Sequence, residues 1–186
     1  MIGSALKQVQ AMCEIIDKSE SARTNAIKML QLQDRIRGLT SPVILPHRKF
    51  VEEGEACRVS AGLFLQWKAV RLICFNDVLM MTDLNYLLWE QCYVVDCFLL
   101  PLQPHEVEFA SSGSRAHVLL NDDISLRGFH IVREGNVIPV TLIFQDIFLR
   151  NKWYDLIETQ IHCSRNASEQ IKSRLLNGLS ISLMSE

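Results

Sequence analysis

Residues 67–82 read WKAVRLICFNDVLMMT, and the two apolar runs within them, 70–75 and 78–81, decide the fold. Asn76 and Asp77 join the runs, and this pair tolerates turn conformations that most residues avoid. The spacing predicts a tight hairpin. Both arms are too apolar to leave either strand face fully in water, so the hairpin belongs at the centre of a sheet that curls on itself or packs on another.

Further strands are expected around it. Residues 50–60, FVEEGEACRVS, mix apolar and polar side chains around a glycine, which predicts a first strand kinked or bulged at Gly54 and a turn at Ala61-Gly62. Trp67 and Trp89 flank the central strands, where core or rim packing is the expected role. Residues 93–100 read as one strand stopped by Pro101 and Pro104, residues 115–120 as a short strand, and Asn121-Asp122-Asp123 as a turn. Residues 129–133 and 137–144 form a second hairpin through Glu134-Gly135-Asn136. Pro139 places that last strand at an edge or bends it.

The period then changes from two to about 3.6. Asp146 can cap a helix to about Cys163 whose inner face is Leu149, Trp153, Leu156, Ile157 and Ile161. A separate short helix is expected over 168–176, capped by Ser168 and closed by Gly178.

Upstream, residues 4–37 hold neither proline nor glycine and favour one long helix, with Ser4 as cap and Gly38 and Pro42 as stops. Its apolar positions fall into two clusters, Val9, Met12, Cys13 and Ile16, then Ile27, Leu30 and Ile36, separated by a polar stretch over 17–25. A helix of roughly 50 Å exceeds what a compact domain of this size needs, so part of it is expected to pack on something outside this chain. A homodimeric coiled coil is the alternative, although no heptad survives the polar middle. TSPVILPH, 40–47, is an extended linker. The resulting class is α+β: a long N-terminal helix, then a seven-stranded barrel or sandwich capped by a C-terminal helix.

With 186 residues, 48% of them hydrophobic, the chain can bury one sizeable core. A formal net charge of −2 gives no bulk attraction to nucleic acid or an anionic membrane. The sequence shows neither a membrane-length apolar run nor a signal core, so a cytoplasmic location is expected. The six cysteines lack metal or disulfide spacing and read as reduced thiols. Asn166-Ala167-Ser168 matches a glycosylation acceptor that carries no meaning without secretion. No catalytic motif appears, and Cys92 with His117 is the kind of nucleophile and base pair any such composition offers by chance. No enzyme, metal or cofactor is expected.

The element order, the Cys74-Phe75-Asn76-Asp77-Val78-Leu79 hairpin, the FHIV segment at 129–132 and Trp153 together resemble a pleckstrin homology domain of the kind found in Dbl-family Rho guanine nucleotide exchange factors. The N-terminal helix resembles the last helix of the Dbl homology domain that precedes it. The resemblance spans about residues 4–163. It implies that Phe75, Asn76 and Asp77 shape the hairpin and that Trp153 packs the terminal helix against the barrel mouth. It also divides the chain into an exchange-domain helix over 1–39, a pleckstrin homology domain over 40–165 and an extension over 166–186.

The implied role is a non-catalytic module in Rho GTPase signalling, with the GTPase as partner of a parent exchange domain most of which this chain lacks. The family's GTPase-touching asparagine lies in an Ile-Asn step, which here is Ile16-Asp17, so Asp17 is the corresponding position. Two other classes stay open: a peptide receptor of the phosphotyrosine-binding or EVH1 type, and a phosphoinositide-binding membrane-targeting domain. For lipid, the candidate contacts are Arg58, Lys68 and Arg71, with Arg48 and Lys49 behind them and Phe64 as an apolar wedge in the Leu63-Phe64-Leu65 loop. Residues 68 and 71 should point to opposite faces of their strand, which disfavours a convergent phosphate site and leaves weak peripheral contact with anionic lipid. Self-association through the first helix is the remaining partner expected.

Overall fold

The computed structural model describes residues 2–61, 65–102, 107–111, 114–118, 122–135 and 139–183. Helix α1, Ile2–Arg35, is followed by strands β1, Phe50–Ala61, β2, Leu65–Phe75, β3, Val78–Thr82, and β4, Leu88–Tyr93. One turn of 3-10 helix, Val94–Asp96, leads to β5, Cys97–Pro101. A small hairpin of β6, Val107–Ser111, and β7, Ser114–Val118, precedes the short helix α2, Asp122–Ser125. Strands β8, Gly128–Arg133, and β9, Val140–Ile143, and then helix α3, Ile147–Leu183, complete the order.

Seven strands form one antiparallel sheet in the order β4-β3-β2-β1-β9-β8-β5. It curls but does not close, because β4 and β5 remain its two edges. The expected hairpin forms, with β2 and β3 paired from Cys74–Leu79 to Arg71–Thr82 and every β3 residue buried, but it lies towards the β4 edge and β1 is the middle strand. Alternate side chains of these strands serve two cores. Val70, Leu72, Cys74, Leu79 and Met81 face inward with Phe129, Ile131, Leu142, Trp153 and Ile157. Ile73, Phe75, Val78 and Met80 face outward and are covered by Met29 and Leu32 of α1, by Ile36 just past its end and by Val43 of the linker. The double burial that the hydrophobic runs demand is thus supplied by helix α1 on one side and the sandwich interior on the other.

Several expectations are corrected. Helix α1 already includes Ile2, so Ser4 lies in its first turn and not before it. Gly38 does terminate it, at φ +80, where a residue with a Cβ would be strained. The irregularity in β1 falls between Phe50 and Glu52, not at Gly54. The stretch 93–100 is not one strand, since the 3-10 turn at Val94–Asp96 bends the chain from one sheet edge to the other. Asp122 and Asp123 begin a short helix rather than a turn. Strand β9 pairs with both β1 and β8 and is interior; Pro139 sits just ahead of it, where its missing N–H costs no ladder bond. Finally, α3 is continuous to Leu183, so no separate helix begins at Ser168. Asp146 caps it as expected, accepting from the Leu149 N–H at 2.7 Å. The turn at Gly62 lies outside the described residues, as does Asn136 in the second hairpin.

Trp153 is 1% exposed and closes the inner core, its ring stacked 6.5 Å from that of Phe144. Gly54 lies beneath the indole: a Cβ there would sit 2.8 Å from Trp153 Cζ2. The glycine in β1 is therefore a clearance for the plug of the sandwich.

Candidate functional site

Where α1 meets the sheet, apolar packing is bordered by a polar lock. Asn25 sits in the polar middle of the helix, where its amide donates to the Phe50 carbonyl at 2.8 Å and accepts from the Phe50 N–H at 3.3 Å. It thereby acts as a one-residue strand partner to the start of β1. One turn on, Lys28 Nζ donates to Glu53 Oε2 at 2.6 Å. Glu53 Oε1 accepts from the Tyr86 hydroxyl at 2.6 Å and lies 3.6 Å from Arg71.

Tyr86 stands at φ +63 in the β3–β4 loop, an uncommon conformation for an aromatic residue. Its ring packs against the guanidinium of Arg71 at 4.5 Å and of Arg35 at 5.1 Å, contacts of the cation–π kind. Arg35 also donates to its hydroxyl at 3.2 Å. Burial alone would raise the Glu53 pKa, but the hydrogen bonds from Lys28 and Tyr86, with the charges of Lys28 and Arg71, hold it below the ordinary carboxylate value. The lock is thus a carboxylate kept ionised between cations from both elements.

The Asn76-Asp77 turn has a second task that turn chemistry alone did not disclose. Asn76 Oδ1 accepts from the Lys49 N–H at 2.6 Å and Nδ2 donates to the His47 carbonyl at 3.0 Å. Asp77 receives Arg48 Nε and Nη2, each at 2.8 Å, with the Arg48 side chain only 3% exposed. Arg48 also donates to the Pro42 carbonyl. The turn clamps the linker against the sheet, and Ser164 of α3 donates to the Asn76 carbonyl from the other side at 2.9 Å.

The expected lipid contacts do not converge as free cations. Arg58 and Lys68 are direct cross-strand partners, but Arg58 is bound to Glu90 at 3.2 Å, and Arg133 shares that carboxylate at 3.4 Å. Arg71 is bound to Glu55 at 2.8 Å and belongs to the lock. Lys68 alone of the three has no carboxylate partner among the described residues; its ammonium lies 5.7 Å from the Trp89 ring. Phe64 lies outside the described residues. Asp17 is exposed on α1 and lines a cleft between that helix and the linker.

At the sheet edge, Arg165 donates to the Val95 and Cys97 carbonyls at 3.2 and 2.8 Å and lies 4.4 Å from the Phe98 ring. It thereby occupies acceptors that an added peptide strand would need. The Cys92 thiol is buried and its pKa is held up by a hydrogen bond with Cys97 and by desolvation, which opposes a nucleophilic role; the side chain of His117 lies outside the described ones. Among the described residues no group of His, Cys, Asp and Glu could hold a metal ion, and no helix is long and apolar enough to cross a membrane.

The residues of the lock escaped sequence reasoning. Glu53 and Tyr86 are 33 positions apart, and neither departs locally from an ordinary strand or loop residue. The signal that existed was Asn25, a polar residue in the gap between two apolar clusters of one helix.

No protein-family model matches the chain, and no curated protein sequence matches it. Solved structures do. The linker-DH/PH domains of p115-RhoGEF share 11% identity at a TM-score of 0.60 over 83% of this chain. The DH/PH domain of human ARHGEF11, solved with human RhoA and its inhibitor, shares 12% at 0.57 over 84%. A Vav1 exchange factor structure described with PH and C1 domains shares 13% at 0.54 over 82%. The chain spans 44% of the first two structures and 35% of the third. The fold is therefore the one these DH/PH structures share with this chain, a long helix followed by a pleckstrin-homology-like sheet and a closing helix.

Proposed function

We propose that this chain is a non-catalytic pleckstrin homology module of a Rho guanine nucleotide exchange factor, joined to the last helix of the exchange domain over residues 1–39. Residues 40–165 form the module and 166–186 an extension. Its action is positional: the barrel is held at a fixed angle to the helix and thereby sets how a Rho-family GTPase approaches the exchange surface. The observation that carries this reading is the division of α1. Its C-terminal third is buried on the β2–β3 face and locked by Asn25, Lys28 and Arg35, whereas Val9, Met12, Ile15 and Ile16 are 57–66% exposed. An exposed apolar stripe on a helix anchored at one end is suited to packing in a helical bundle. Asp17 lies next to that stripe and is the residue assigned to the GTPase side. The likeness to structures that include RhoA complexes supports the partner class.

Peripheral contact with anionic lipid is a secondary role at most, since Arg58 and Arg71 are already paired with carboxylates and an exposed lysine offers only weak attraction. The test is nucleotide exchange by the longer parent protein, with and without residues 40–163, and with Lys28→Ala and Tyr86→Phe combined. Both changes should alter the exchange rate in the same direction. A rate unaffected by either would overturn the reading.

A further inference from the structure

The cleft between α1 and the linker has a volume of about 840 Å³, within the range of roughly 300–1,000 Å³ typical of small-molecule sites. Its walls are mostly apolar, with Ala22, Ala26, Met29 and Leu30 from the helix and Ile44 and Leu45 from the linker, interrupted by Ser21 and Asn25. Leu30 and Ile44 are 55% and 43% exposed, so two large aliphatic side chains of one cleft stand in water. The charges around it are uneven. Arg48 is neutralised by Asp77, while Lys18 and Lys49 are exposed and have no ion-pair partner among the described residues. Against them stands one lining carboxylate, Asp17.

We propose that this cleft binds a monomeric, single-chain anionic amphiphile, of which a fatty carboxylate is the simplest. Its chain lies along the Ala26, Leu30 and Ile44 walls and its head group meets Lys18 and Lys49. An excess of unpaired ammonium groups beside an apolar trough selects a ligand with one negative end and one oily end. A neutral apolar ligand would leave those cations unused. The apolar side chains line a recess between two chain segments, a shape that fits a single chain better than the face of a bilayer. Because one wall is the helix and the other the linker to the sheet, an occupant braces the same joint as the polar lock, whose Asn25 also lines the cleft. This inference stands apart from the exchange-factor reading, since binding is measured without any GTPase.

The test uses the full chain and decanoate below its micelle concentration, followed by titration calorimetry. Saturable one-to-one binding is expected. Lys18→Glu with Lys49→Glu should weaken it roughly tenfold, decanol should bind more weakly than decanoate, and Ala26→Trp, which fills the cleft from an exposed helix position, should abolish it. Should Ala26→Trp fail to fold, Ile44→Asp replaces it with the same expectation. Absence of saturable binding, or binding that survives Ala26→Trp or Ile44→Asp in a folded variant, overturns the proposal. So does retention on phosphatidylserine vesicles that depends on Lys18 and Lys49 when decanoate itself does not bind.

Discussion

Gly54 and Trp153 are matched: the strand passes so close under the indole that a Cβ at position 54 would lie 2.8 Å from Cζ2 and 3.0 Å from Nε1. Trp153 is fully buried in the inner core and has no room to retreat. Gly54→Ala should therefore destabilise the protein by about 1–3 kcal/mol through overpacking. Trp153→Ala should cost about 3–5 kcal/mol through the void it leaves. In the double variant the alanine at 54 should cost far less than in the wild-type background, which a double-mutant cycle in urea would reveal. Additive losses would refute the steric account.

Asp77 holds Arg48 through two guanidinium nitrogens while the arginine side chain is almost wholly out of water. Asp77→Ala leaves that charge without its counter-ion and should cost about 3 kcal/mol. Replacing Arg48 by methionine together with Asp77→Ala should recover part of this loss, and thermal unfolding of the three variants measures it.

Glu53 titrates below its ordinary value of 4.5 in the folded protein. A depressed carboxylate contributes stability above its unfolded pKa and loses it as pH falls through the folded one. Stability should thus decline on acidification below about pH 4.5, and Glu53→Gln should flatten that decline while lowering stability at neutral pH. Melting temperatures across this range, compared between the two proteins, provide the check.

Thiol labelling separates the cysteines by environment. Cys13 and Cys163 are exposed and should alkylate readily in the folded protein. Cys74 is fully buried and its pKa is pushed up to about 12 by burial, with Glu52 and Asp77 adding to the effect. It should react only when the protein unfolds, so the denaturant dependence of its modification reports global opening.

The central hairpin and the capped terminal helix were legible because each carries its own signal. In β2 and β3 both faces are apolar, and in α3 the period of 3.6 returns after Asp146. Other features depended on partners distant in the chain. Val94 and Val95 look like strand residues, and only the two sheet edges they must connect turn them into a 3-10 corner. Pro139 marks an edge in isolation, yet the twelve-residue β1 is long enough to take β9 on its far side. Ser168 resembles a helix start and Gly178 a stop, but a helix already pinned through Ser164 and Arg165 can continue through a glycine at a cost of about 1 kcal/mol. The cations expected to gather for lipid were assigned without their carboxylates, since nothing near Arg58 in sequence announces Glu90.

The two cores share a single pair of strands, so the covalent joint near Gly38 is not a seam in the physical object. Expressing the barrel without its helix would uncover Ile73, Phe75 and Met80 on the outer sheet face. Trimming the first 39 residues therefore exchanges one exposed apolar stripe, at Val9, Met12, Ile15 and Ile16, for a second on the sheet itself, and should lower the thermal stability of what remains.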